Sequence, residues 1–321
     1  MEGGGVIKVL NSLCLTLLIS FISSYTYADC NSEIQTNAVE YCSFNLAKIR
    51  ELADNGDKEA QFRLGLKYHK GEDLPKNDIE AAKWYQKASD QNQLDARHNL
   101  ALLYKTGNGV KKDLKVAFEL EKSAAELGQK YSQNTLGLYF LDGIGTAQNI
   151  SEGIKWLTTS ANQNLADAAD NLGKVYARDK YVAIDNKKAF YWYQKAAQLG
   201  NSSSQLSTCL LYKKGLGVEK NVNKALEYCR LSAQNGYLDA QVVTGLLLRG
   251  NVEDIKPNYE ESFFWLKKAA DRGDTGAYFL VGVAYQAGVG VERSNIQARK
   301  WFELAAKHGD NAAQNRLNQM H

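Results

Sequence analysis

Proline is almost missing from this chain: Pro75 and Pro257 are the only two in 321 residues. A proline inside a helix costs about 3 kcal/mol, so this scarcity leaves room for helix nearly everywhere. An excess of either charge is also missing. The 39 Lys and Arg face 36 Asp and Glu, a net of +3. That balance excludes the concentrated basic excess of a nucleic-acid or membrane-surface protein. Catalytic constellations are absent as well. The four histidines, His69, His98, His308 and His321, form neither an HExxH pair nor a Cys/His zinc pattern. There is no G-x-S-x-G elbow, and no serine is followed three residues later by lysine. The chain is therefore expected to be no enzyme, with no cofactor and no metal.

Long apolar runs are confined to the first 28 residues. Lys8 precedes an apolar stretch from Val9 to Ile22, which gives way to polar residues and Ala28. A positive start, a short apolar core and a small exit residue describe a secretory signal peptide over 1–28, cleaved near Ala28. The apolar stretch is short of the roughly 18–20 residues that span a bilayer, so no stable membrane insertion is expected after cleavage. Asp29 before Cys30 is the wrong context for a lipoprotein site. The opening MEGGGV reads as a ribosome-binding stretch followed by a start at Val6. Export removes Cys14 and leaves an even four, Cys30, Cys42, Cys209 and Cys229, which an oxidising compartment permits to pair. Cys30 and Cys42 would staple the lead-in at 29–44. Cys209 and Cys229 either form a second bridge or are small buried apolar residues.

What the sequence does have is a ruler. Trp84, Trp156, Trp192, Trp265 and Trp301 fall on a 36-residue period, with one extra residue before the last two, and Leu120 and Tyr228 fill the vacant marks. Four and five residues after each mark stand small residues, such as Ala196 and Ala197, and then a Gly or Asn. A second pattern opens with small residues at 60, 96, 132, 168, 204, 240 and 277. Five later comes another small residue, Gly65, Ala101, Gly137, Gly173, Cys209, Gly245 and Gly282, followed by an aromatic in six of the seven cases. Offsets of three, four and five keep these on one helical face. Gly-x-Gly triplets then stop the helix. Each period is a helix A, a glycine turn, a helix B and a second turn, and such a unit needs its neighbours to bury its apolar face. The reading is an all-α solenoid over 45–321 with half-units at both ends. The tryptophans are structural, each wedged between successive helix pairs, and Trp192→Ala is expected to cost about 3–5 kcal/mol. Two places depart from the period. Residues 176–190 lack the Gly-x-Gly turn, so that either the loop is longer or the helix ends irregularly, and 249–258 carries the extra residue with Pro257.

The stretches AQFRLGLKYHKGEDLPKNDIEAAKWYQKASDQN and AYFLVGVAYQAGVGVERSNIQARKWFELAAKHGD resemble Sel1-like repeats, relatives of the tetratricopeptide repeat. The family pattern is A-x-x-x-L-G-x-x-Y, then G-x-G-V, then A-x-x-W-x-x-x-A-A-x-x-G, and it covers nearly all of the chain after residue 44. The resemblance implies a right-handed superhelix of about seven helix pairs whose concave face is lined by A helices. It implies adaptor work, often in bacterial envelopes and host contact, while the signal peptide makes a periplasmic or secreted location the expectation. By analogy with related repeats, groove positions lie three before, one after and four after the Gly65-type residue. They include Phe62, His69, His98, Lys105, Lys213, Arg249 and Phe279, with Lys174 beside the basic row. An apolar floor with scattered basic groups suits a protein segment. The expected function is a monomeric, exported scaffold that binds a protein partner. Alternatives are immunity to a type VI secreted lipase-type toxin and, less favoured for want of an acylation motif, a cell-wall or β-lactam-acting enzyme.

Overall fold

The computed structural model describes residues 45–250 and 255–320. The signal segment, Val6, Cys30 and Cys42 lie outside the described residues. All elements among them are helices: α1 Leu46–Asp54, α2 Lys58–Lys70, α3 Asp78–Asp90, α4 Leu94–Thr106, α5 Leu114–Glu126, α6 Lys130–Asp142, α7 Ile150–Asn162, α8 Ala166–Ala177, α9 Asn186–Gln198, α10 Ser202–Lys214, α11 Val222–Gln234, α12 Leu238–Leu247, α13 Tyr259–Asp271, α14 Thr275–Ala287, α15 Asn295–Lys307 and α16 Asn311–Asn318. The chain divides into two compact units, residues 1–96 and 97–321, with the division inside α4. In the first unit α2 packs on both α1 and α3. In the second each helix from α5 to α15 packs on the next one along the chain. That is the neighbour-by-neighbour stacking of a solenoid of helix pairs.

The helices stop and start where the side chains dictate. Every B helix opens on an Asn, Asp or Ser cap, Asn77, Asp113, Asn149, Asp185, Asn221, Asn258 or Ser294. Each cap's side chain accepts from a first-turn backbone N–H. The turns between A and B are held by a close backbone approach. In repeat 5, Gly217 has φ 74°, and a Cβ there would lie 2.0 Å from the Asn186 carbonyl oxygen. Only glycine fits that contact.

Within each pair, helix A and helix B touch at a small residue facing a large one. A Cβ on Gly65 would stand 2.6 Å from Tyr85, and on Gly137 2.7 Å from Leu157. The same holds for Gly173 against Tyr193, Gly245 against Leu266 and Gly282 against Phe302. The large partner is the residue after the tryptophan, and it is buried in each case. Four of the five tryptophans are only half-buried, Trp265 being the exception at 6% exposed. Trp156 packs against a core cluster of the preceding helices formed by Ala117, Phe118, Ala125, Leu136 and Tyr139. The wedge inside a pair is thus the residue after the tryptophan, while the tryptophan joins one repeat to the last.

Repeats 2 and 5 fill this contact differently. In repeat 5 it is a disulfide, Cys209–Cys229, with Cα atoms 5.4 Å apart. In repeat 2 the equivalent positions are Ala101 and Glu121, both fully buried, the latter a carboxylate with no solvent exposure. Buried amides bridge the repeats at a further position. Gln133 donates to Ala125 O at 3.1 Å, Gln205 to Ala197 O at 3.3 Å and Gln241 to Ala233 O at 3.3 Å. In the first unit Gln61 donates likewise to Ala53 O at 3.1 Å. These bonds add a second donor to helix-end carbonyls that already accept from the Gly56, Gly128, Gly200 and Gly236 backbone N–H groups.

The two departures from the period resolve simply. In repeat 4 helix B still begins 20 residues after the start of helix A, so no residue is inserted, and the loop gains only the residue that helix A gives up. Helix α8 instead ends one residue early, at an extended Arg178 with φ −131°. In repeat 6 the interval is 21 residues, and α12 is shortened to 10.

Candidate functional site

Helix A of each repeat turns one face toward helix B and leaves the opposite face open. In the second unit the middle of that open face is the row Leu102, Leu138, Lys174, Leu210, Leu246 and Val283. Leu246 is 43% exposed and the rest are half-buried. Beside it, two residues before the small position, runs a row that the sequence reasoning missed: Asn99, Thr135, Asn171, Ser207, Val243 and Leu280, all half-buried. Its signal in the sequence is the same 36-residue spacing, read three residues earlier than the apolar row. Asn171 donates across to Asn134 Oδ1 at 2.9 Å, tying α8 to α6.

The expected groove residues do not all reach this face. Phe62 is 1% exposed and packs on Tyr85 with ring centres 6.1 Å apart, so it belongs to the core of the first unit. Phe279 is half-buried, 5.7 Å from the Phe302 ring. Their position lies one turn before the small residue and shares its inward face. Asp170 and Leu206, at the same position, are also buried. His98 there lies against Glu121, its Nδ1 2.9 Å from Oε1 and 3.0 Å from Oε2.

The basic row is likewise not a single field. In the first unit His69 Nδ1 lies 2.7 Å from Asp78 Oδ1. In the second, Lys174 Nζ lies 2.5 Å from Asp170 Oδ2, and Lys105 Nζ sits 5.4 Å from the Tyr139 ring centre. Lys213 and Arg249 are half-buried and form no ion pair among the described residues. Burial, followed by the charge of Glu121, pushes the Tyr139 hydroxyl far above an ordinary phenol. Burial, followed by the charge of Asp170, raises that of Tyr193 to about 12. Both phenols therefore stay protonated at neutral pH. No group of three or more His, Cys, Asp and Glu among the described residues is placed to hold a metal. A recess of about 1090 Å³ lies away from the A-helix face, beside the repeat 6 insertion, lined by Leu226, Arg230, Ile255, Pro257 and Tyr259 among others. No described helix is long and apolar enough to cross a membrane.

The model of the Sel1 repeat matches residues 58–93, 94–129, 130–165, 166–201, 202–237, 239–274 and 275–310. Among solved structures, the chain is similar to a protective antigen present in uropathogenic Escherichia coli strains that displays an SLR fold. The two are 28% identical with a TM-score of 0.73, covering 89% of this chain and 60% of that one. A Sel1 repeat protein from Oxalobacter formigenes is 25% identical with a TM-score of 0.66, covering 91% and 83%. Among curated proteins, the chitin synthase regulator SKT5 of Saccharomyces cerevisiae is 32% identical over 174 residues, 51% of this chain and 25% of the regulator. Its counterpart in Malassezia restricta is 28% identical over 174 residues, 52% of this chain and 12% of the regulator. The chain thus spans a quarter or less of these two regulators' length.

Proposed function

Because the chain belongs to the Sel1 repeat family, we infer that it is a non-enzymatic scaffold, exported from a bacterial cell, that holds a segment of another protein on the A-helix face of its second unit. The observation that carries this reading is the half-exposed row Leu102, Leu138, Leu210, Leu246 and Val283, flanked by amides and hydroxyls. Apolar anchors with adjacent hydrogen-bonding groups are what an interface core requires. Lys213 and Arg249 at the edge of the row would select the orientation of the partner rather than hold it. The names of the fungal relatives, which are regulators of an enzyme, support a role exerted through a partner.

Affinity capture from the source organism tests the face. Leu210→Asp with Leu246→Asp should abolish recovery of the partner that the parent chain retains. Lys83→Glu with Lys155→Glu, on helix B, should leave recovery unchanged. Loss in the helix B variant with normal capture by the other would move the interface off the A helices. Export is tested separately, by an alkaline phosphatase fusion after residue 40 and by N-terminal sequencing. An active fusion and a mature start near Asp29 are the expected results.

A further inference from the structure

The turns between helices A and B of repeats 4 and 5 both gather basic residues, as the turn of repeat 2 does with Lys105, Lys111, Lys112 and Lys115 against Asp113, and here two such turns fall in successive repeats. Residues 178–188 carry Arg178, Lys180, Lys187 and Lys188 against Asp179 and Asp185. Residues 213–224 carry Lys213, Lys214, Lys220 and Lys224 against Glu219. These two segments hold eight basic and three acidic residues, a net of +5, whereas the whole chain nets +3. The equivalent segment of repeat 3, residues 142–152, has Asp142 and Glu152 and no basic residue.

The two segments adjoin. Gly217 in the repeat 5 turn sits against the Asn186 carbonyl and the Lys187 amide at the start of α9. The Lys188 ammonium lies 5.1 Å from the Tyr176 ring centre, so the α9 start also covers the end of α8. Little within the patch neutralises it. Lys180 is bound by Asp142 at 2.8 Å and Lys188 by Asp185 at 3.4 Å. Asp185 is also occupied as the α9 cap, accepting from the Lys188 amide at 3.0 Å. Arg178, Lys187, Lys214, Lys220 and Lys224 are exposed and have no ion-pair partner among the described residues. Exposed apolar side chains lie among them, Ile184 at 55% and Leu216 at 38%. Repeat 4 also breaks the glycine-turn rule here. Tyr181 and Lys180 reach back to Asp142, with the Tyr181 hydroxyl 2.6 Å from Oδ1. Burial alone would raise the Asp142 pKa, but these hydrogen bonds and the nearby lysine charges hold it below the usual carboxylate range.

We propose that this edge is a second docking surface, separate from the A-helix face, and that it takes an acidic segment of a protein partner with an apolar residue seated by Ile184 and Leu216. The charge complement is acidic, and the exposed apolar side chains Ile184 and Leu216 favour polypeptide over a bare polyanion. Clustered unpaired charge of this kind raises the encounter rate and is strongly salt-sensitive.

The test uses the purified chain and a fluorescein-labelled 20-residue poly-glutamate peptide, read by anisotropy. Binding should weaken steeply between roughly 50 and 300 mM NaCl. Changing two glutamates of the peptide to leucine should tighten it, and Ile184→Ser should remove that gain. Lys180→Glu, Lys187→Glu, Lys220→Glu and Lys224→Glu together should weaken binding by about tenfold or more. A control with the same charge change elsewhere, Lys122→Glu, Lys155→Glu, Lys300→Glu and Lys307→Glu, should retain most of the affinity. Circular dichroism checks that each variant is folded, and the corresponding Lys→Gln set replaces any that is not. No binding by the parent chain, or equal loss in the control, overturns the proposal. Tighter binding of a 20-nucleotide single-stranded DNA or of phosphatidylglycerol vesicles through the same four lysines overturns it in favour of those partners. Because none of the four lysines lies on the A-helix face, failure here leaves the capture experiment on Leu210 and Leu246 standing.

Discussion

A carboxylate out of reach of water costs several kcal/mol to bury unless it is paired, and Glu121 is 0% exposed. Its neighbour His98 supplies the pairing through Nδ1. Removing one partner should therefore cost more than removing the reason for the pair. We expect His98→Ala to destabilise the protein by about 3–5 kcal/mol, while Glu121→Leu, the residue used at Leu157 and Leu266, is neutral or stabilising. Urea denaturation of the two variants checks this, and a Glu121→Leu loss as large as that of His98→Ala would refute it. The disulfide obeys the same positional logic. Cys209→Gly with Cys229→Leu converts repeat 5 to the contact of repeats 3 and 6. This double variant should melt near the parent temperature and be indifferent to dithiothreitol. The parent should lose about 3 kcal/mol on reduction, the scale for a bridge closing some 20 residues. Both contacts were within reach of the sequence. Cys209 falls on the small-residue row, and Cys229 and Glu121 follow the tryptophan marks Tyr228 and Leu120. A 36-residue period shows which positions are equivalent, but not which of two adjacent helix B residues turns toward helix A.

Between elements, adjacent B helices are tied by polar side chains as well as by packing. Arg230 on α11 donates to both oxygens of Glu261 on α13, at 2.8 and 2.6 Å. The Trp265 indole N–H donates to the same carboxylate at 3.2 Å. The Arg230 hydrogen bonds hold the Glu261 carboxyl below its ordinary value against the opposing effect of burial, and the Trp265 N–H adds to them. A group whose folded pKa is depressed contributes stability that is present above its unfolded value, about 4.3, and is lost as the pH falls through the folded one. Glu261→Gln should therefore lower stability at pH 7 and flatten the acid limb below about pH 4.3. Melting temperatures between pH 7 and pH 2 measure both effects, and an acid limb as steep as that of the parent would count against this tie. Helix order, the cap residues and the place of the extra residue were legible because they depend on local signals: Asn and Asp before the B helices, glycine after the A helices. The Arg230–Glu261 tie was not, since it joins residues 31 apart that no repeated pattern marks. Phe62 was misplaced for a related reason. An aromatic one turn before the small residue looks the same in sequence whether it faces the groove or helix B.

At the scale of the whole molecule, packing runs from neighbour to neighbour within the second unit, so damage should spread over a short distance. Tyr193 is the test. It is 7% exposed and stands where any side chain on Gly173 would collide with it, whereas Trp192 is half-buried. The larger cost therefore belongs to Tyr193→Ala, about 3–5 kcal/mol for a buried aromatic, and Trp192→Ala should cost clearly less. In a solenoid the loss appears as local opening, because each repeat's stability is the sum of its own packing and its two interfaces. Hydrogen exchange of the Tyr193→Ala variant should show protection falling in α8, α9 and α10. Helices α13 to α15, held by Leu266, Val281 and Phe302 in a separate core cluster, should keep nearly parental protection. Uniform loss of protection from α5 to α16 would mean that the repeats unfold as one cooperative body. In that case the partner-binding row on the A helices could not be altered one repeat at a time without disturbing its whole length.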